Sequence, residues 1–164
     1  MTNTKKPNTR EAYKEFNGRL VDQMPLLIAD ARVPMSVSQL MQKRLDIRNA
    51  SDEVKAFWND RYLDTGDAVA YHPGGRVKIV LDSQHLREIN PNSSPNHGAL
   101  VFTEALYNSL QGEEFNRSRI GKIWGSLTKK EAKTHPVWKA LARDPVLLND
   151  YVDYIFAEGK QRLG

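Results

Sequence analysis

Two short β-rich runs, Ala68-Val69-Ala70-Tyr71 and Val77-Lys78-Ile79-Val80, flank the tract His72-Pro73-Gly74-Gly75-Arg76. Proline presets φ for a turn, and paired glycines supply the positive φ that a tight reversal needs, so this stretch reads as a β-hairpin. A lone hairpin is marginal in water and must be covered by something else in the chain. Nearly everything else reads as helix. The expected fold class is therefore α+β and predominantly α-helical, with N-terminal helices plus one β-hairpin and a C-terminal module of three to four helices.

The helices follow from apolar spacing and caps. Thr9 can cap a helix carrying Ala12, Tyr13, Phe16, Leu20 and Met24 on one face, which Pro25 is expected to stop. The run Leu26-Leu27-Ile28-Ala29 fits a strand or an extended connector. Ser36 with Gln39 has capping-box spacing ahead of Val37, Leu40, Met41 and Leu45. Ser51-Asp52-Glu53 opens another helix with Val54, Phe57 and Trp58 on its apolar face.

The tract NPNSSPNHG at 90–98 is almost wholly turn formers. It divides the chain into a polar, disordered tail (1–8), a helix-and-hairpin part (9–90), a linker (91–98) and a helical module (99–164). Beyond the linker the pattern is helical to the end. One apolar set is Leu100, Phe102, Leu106 and Leu110, and a second is Ile120, Ile123, Trp124 and Leu127. Thr128 with Glu131 makes another capping box, and Asp144-Pro145 is a good cap and first helical residue for a last helix bearing Leu148, Tyr151, Val152, Ile155 and Phe156.

The chain has no cysteine, which excludes a disulfide framework, a cysteine-ligated zinc or iron–sulfur centre and a thiol nucleophile. No apolar run approaches a bilayer-spanning length, and the first residues hold no apolar signal core. The expectation is an intracellular protein without a membrane partner, nucleus and cytoplasm being indistinguishable, and no cofactor or metal is implied.

Charge is more informative than its sum of +4. Between Phe115 and Arg143 stand Arg117, Arg119, Lys122, Lys129, Lys130, Lys133, Lys139 and Arg143 against the single acid Glu131, whereas the rest of the chain is net acidic. Such a field attracts polyanions, phosphate backbones above all. Arg117, Arg119, Lys122, Lys129, Lys130, Lys133 and Lys139 form the expected nucleic-acid contact set, each a cation with no catalytic role.

The string Ile120-Gly121-Lys122-Ile123-Trp124-Gly125-Ser126-Leu127-Thr128-Lys129-Lys130-Glu131-Ala132-Lys133 resembles the second-helix segment of the HMG box. Pro95 to Phe102 is similar to that family's approach to its first helix, and Trp138 to Glu158 corresponds to its third. The resemblance covers 95–158. It implies a three-helix, L-shaped module that binds the DNA minor groove and bends the duplex, which makes DNA a better expected partner than RNA. It also implies a wedge residue between base steps, with Leu100 or Val101 as candidates. Where the family carries basic residues around its first helix, this chain has NPNSSPNHG followed by Glu104, Glu113 and Glu114.

Two other readings stand beside it. One is a protein-interaction or assembly module whose basic face meets an acidic partner. The other is a small hydrolase centred on Asp82, His85 and His97, although no metalloprotease helix motif, nucleophile elbow or phosphate loop is present. Tyr62 to Val80, with Thr65-Gly66-Asp67 ahead of the hairpin, resembles the ribose-binding stretch of adenylate-forming enzymes, whose phosphate loop and catalytic-lysine segment have no counterpart here.

Overall fold

The computed structural model describes residues 12–121 and 127–163. In chain order the elements are α1 (Leu20–Ala29), α2 (Val37–Asp46), α3 (Asp52–Asn59), β1 (Ala68–Tyr71), β2 (Arg76–Val80), α4 (Gln84–Arg87), α5 (Glu104–Ser109), β3 (Glu113–Asn116), α6 (Arg117–Ile120), α7 (Lys129–Thr134), α8 (Pro136–Ala142) and α9 (Pro145–Leu163). This is an α+β fold, mostly helical, around one small antiparallel sheet in the order β1-β2-β3. Among the described residues no helix is long and apolar enough to cross a membrane.

The hairpin forms where the turn chemistry places it. Ala68 pairs with Val80 and Tyr71 with Val77, and Gly75 takes φ +90° in the connecting turn. β2 is the central strand, so both its edges are paired, and side chains from the rest of the chain cover both its faces. Val77 and Ile79 point to one side and pack with Ile120, Val137 and Leu141. Lys78 and Val80 point to the other, where Val80 meets Ala70, Tyr107 and Leu110. A third apolar cluster joins Met41 of α2 to Ala132, Ala142, Leu148 and Val152 of α7, α8 and α9. The parts before and after the 91–98 tract thus contribute side chains to one core, and β3 extends the hairpin's own sheet.

Several caps act as their sequences dictate. Ser36 and Gln39 form a capping box at α2, as do Thr128 and Glu131 at α7. Ser51 Oγ accepts from Val54 N at α3, and Asp144 Oδ1 accepts from Val146 N at the start of α9.

Four expectations need correction. Residues 12–19 are not helical: α1 begins at Leu20, runs through Pro25 and includes Leu26–Ala29. Proline there removes only the bond its own N–H would have made to Val21, and the helix continues past that single gap. Upstream, Gly18 at φ +146° holds the chain extended, and an added Cβ would press on Gln23. Thr9 lies outside the described residues.

Next, the chain after residue 98 is not wholly helical, because Glu113–Asn116 pairs with β2 as β3. Pairing to an existing strand decides this, since a four-residue run carries little periodicity of its own. Third, Leu100 and Phe102 lie ahead of α5, which starts only after Thr103 caps it by accepting from Leu106 N. Finally, in the set Ile120, Ile123, Trp124 and Leu127, Ile120 ends α6 and Leu127 precedes α7, while Ile123 and Trp124 lie outside the described residues.

Candidate functional site

The basic window folds into separate places. Lys129 and Lys133 stand one turn apart on α7, and both reach Asp153 of α9, at 2.9 and 2.7 Å. Their hydrogen bonds, Lys133's first, hold the Asp153 carboxyl below the ordinary carboxylate value. Arg143 turns inward to Asp67 at 3.1 Å and Asp82 at 3.6 Å. Arg117 sits at the opposite end of the sheet. Its N–H donates to Gly75 O in the hairpin turn, and its guanidinium lies 5.8 Å from the centre of the Tyr71 ring. Arg119, Lys130 and Lys139 are exposed and form no ion pair among the described residues. Lys122 lies outside those residues. Linear crowding of cations therefore does not carry over into a single unopposed set, because α9 and the hairpin flanks return acids that sequence order keeps away.

The wedge candidates also change setting. Leu100 is half-buried and Val101 exposed, both in the irregular segment before α5 rather than on a helix.

Asp67 is the most heavily used polar side chain of the hairpin flank. It is fully buried. Its Oδ2 accepts from Val37 N, and its Oδ1 accepts from Asp82 N and from Arg143 Nη2. The neighbouring Gly66 donates to Met35 O and accepts from Ser83 N. One short loop thereby ties the start of α2 to both flanks of the hairpin and to the end of α8. Asp82 (φ +50°) and Arg143 (φ +65°) are both left-handed, and both are held by this carboxylate. Three of its roughly four acceptor positions serve the fold around the hairpin.

A second polar cluster surrounds Tyr107. Lys78, buried on the central strand, donates to the Tyr107 and Leu110 carbonyls at the end of α5, at 2.9 and 3.0 Å. A cation there complements the helix dipole. The Tyr107 hydroxyl donates to Glu114 Oε2, and burial first, with that carboxylate second, pushes the phenol up to about 12. His72 accepts Gly74 N–H at Nδ1 and faces Glu104 through Nε2. Both ring nitrogens are engaged, leaving no free nitrogen for general-base work.

Each member of the Asp82, His85 and His97 trio has a setting of its own. Asp82 faces Arg143, the His85 ring lies 5.5 Å from Phe102, and His97 takes φ +49° in the 96–99 turn. No hydrogen bond joins any two of the three among the described residues.

No family model matches the chain, and no solved structure matches it. It is 27% identical over 133 residues to a Schizosaccharomyces pombe protein described as an inactive zinc metalloprotease. The match takes in 79% of this chain but 16% of that relative, so the chain spans about a sixth of the relative's length. Zinc sites use three or four protein ligands. Among the described residues no group of three histidine, aspartate or glutamate side chains is placed to hold a metal.

Three residues that the structure makes prominent stand out little in composition or charge: the buried Lys78 and Tyr107 and the half-buried Arg44. Lys78 carried one signal: as a lysine in the interior of an otherwise apolar strand, it needs a partner when buried.

Proposed function

We propose that the chain is a non-enzymatic assembly module that meets a second copy of itself through the surface of α1. The carrying observation is the mismatch between what α1 is made of and what it buries. Eight of its ten residues are apolar or proline, yet Met24 alone is buried, while Leu26 and Ile28 remain exposed, as does Val33 just beyond. Exposed apolar side chains concentrated in one short segment offer a partner surface to cover, here on more than one side of the helix, since Leu26 and Ile28 are two residues apart. The charges around it are largely paired, Arg19 with Asp22 and both Lys14 and Arg32 with the single Asp30, a net charge of +1 over these five residues. A two-fold contact there sets only that small excess against itself. The partial neutralisation of the basic window, and the likeness to one part of a longer protein described as inactive, support a binding role over a catalytic one.

Light scattering across a concentration series tests this. The expected result is assembly that added duplex DNA leaves unchanged and that Leu26→Glu abolishes. A parent chain that is monomeric at every concentration refutes it.

A second reading is DNA binding of the HMG-box kind, through Arg117, Arg119, Lys130 and Lys139. Its support is that Arg119, Lys130 and Lys139 are exposed without an acid partner among the described residues, and that Val101, just ahead of α5, is exposed. Filter binding at about 50 mM salt should then retain duplex DNA, with retention falling steeply as salt rises.

A further inference from the structure

A cleft of about 1060 Å³ runs beside β1, between the segment ahead of α5 and helices α2, α8 and α9. Its size matches the upper end of small-ligand sites, roughly 300–1,000 Å³. Its walls are largely apolar, including Leu40, Val69, Leu100, Val101, Phe102 and Trp138. Val101, on the same lining, is 73% exposed and accessible to a ligand in the cleft.

The lining contains one cationic side chain of the Lys/Arg type, Arg44. Arg44 is half-buried and donates Nε–H to Trp58 O at 2.7 Å and Nη1–H to Tyr151 OH at 2.8 Å. Neither acceptor carries a formal charge, Trp58 O being a last-turn carbonyl of α3 that offers only the partial charge of the helix end, and no carboxylate lies within ion-pair distance of Arg44 among the described residues. A guanidinium carries five N–H donors, so most of the fork remains unspent. The acids on the same walls do not serve it. Asp67 is consumed by Arg143 and two backbone N–H groups, Glu104 faces His72, and Asp64 is exposed. Withdrawing a cation from water without a counter-charge is unfavourable, and a planar fork suits a carboxylate.

We infer that this cleft binds a monoanionic amphiphile, a carboxylate on an apolar chain, with the carboxylate on Arg44 and the chain along the wall from Leu40 to Val101. A single guanidinium, with Asp64 also on the lining, disfavours a dianion such as a phosphate monoester. The inference is independent of the α1 surface, which lies outside this set of residues apart from Leu20 at the cleft's margin.

The test is calorimetric titration of the full chain with dodecanoate and with dodecanol, below their self-association concentrations. Dodecanoate should bind one to one and at least about ten-fold more tightly than dodecanol, as a charge-assisted hydrogen bond provides. Arg44→Gln should erase that preference while leaving weak binding of both. Val101→Asp, at an exposed position where folding is not at stake, should weaken both ligands. Absence of dodecanoate binding overturns the inference. So does equal affinity for acid and alcohol in the parent chain, or an unchanged preference in Arg44→Gln. A dodecanoate affinity that Val101→Asp leaves untouched places the ligand elsewhere and overturns it as well. Should Arg44→Gln fail to fold, the acid-over-alcohol ratio and the Val101→Asp result still decide.

Discussion

Removing the Asp67 carboxylate is the sharpest perturbation of this fold. The side chain is fully excluded from solvent and accepts from Val37 N at 2.9 Å, Asp82 N at 2.9 Å and Arg143 Nη2 at 3.1 Å. Asp67→Ala strands two backbone N–H donors, one of them at the first turn of α2, where the helix dipole favours an anion. Each hydrogen bond to a charged group contributes about 1.5–3 kcal/mol, and breaking a buried charge pair costs about 3–5 kcal/mol. These terms overlap, and Arg143 is 36% exposed and can rehydrate, so the expected loss is about 3–5 kcal/mol in all.

Asp67→Asn keeps one oxygen, which can serve Asp82 N and Arg143, but it turns an NH₂ toward Val37 N or those donors. Its cost should be intermediate, about 2 kcal/mol. Arg143→Gly separates the carboxylate from its ion pair. The fully buried carboxylate is left without its cation, at a cost of about 3 kcal/mol, and relief of left-handed strain at φ +65° just past α8 offsets about 1 kcal/mol of it, a net loss of about 2 kcal/mol. Urea unfolding with a constant slope reads all three. If Asp67→Ala costs no more than Arg143→Gly, the two stranded backbone donors are not what makes the site essential, and the reasoning fails.

Two further outcomes follow from the geometry. Asp153 titrates below its ordinary value of 3.8 because Lys133 and Lys129 bond to its charged form. A lowered folded-state value gives stability that is present above the unfolded value and lost as pH falls through the folded one. Asp153→Asn should thus flatten the acid limb of a stability-against-pH curve below about pH 4; an unaltered limb would show that the α7–α9 fork contributes nothing. At Gly112 a Cβ would collide with the Ile79 carbonyl. Gly112→Ala should cost about 1–3 kcal/mol by forcing β3 away from β2, read as a lower urea midpoint; an unchanged midpoint would mean the strands have room to part.

What the residues determined alone was local. The hairpin, the capping boxes at Ser36 and Thr128, and the Asp144-Pro145 helix start are each encoded within a few positions, where backbone geometry and one side chain decide the outcome. The same locality misled where a distant partner has the deciding vote. Pro25 looked terminal because its missing N–H is visible in sequence, while the rest of α1 that continues past it is not. Residues 113–116 have no pattern of their own and became a strand because β2 offered an unpaired edge.

The functional reading divides in the same way. Sequence shows how many cations lie close in order, and tertiary packing alone decides what they face. Asp153 arrives from α9 to hold Lys129 and Lys133, and Asp67 arrives from the far side of the hairpin to hold Arg143. The converse is Arg44, ordinary in sequence and surrounded there by mixed charge, which folding leaves on an apolar wall with neutral acceptors. Coulombic pairing depends on separation in space, over a few ångströms, and the chain order of a compact fold carries little information at that range.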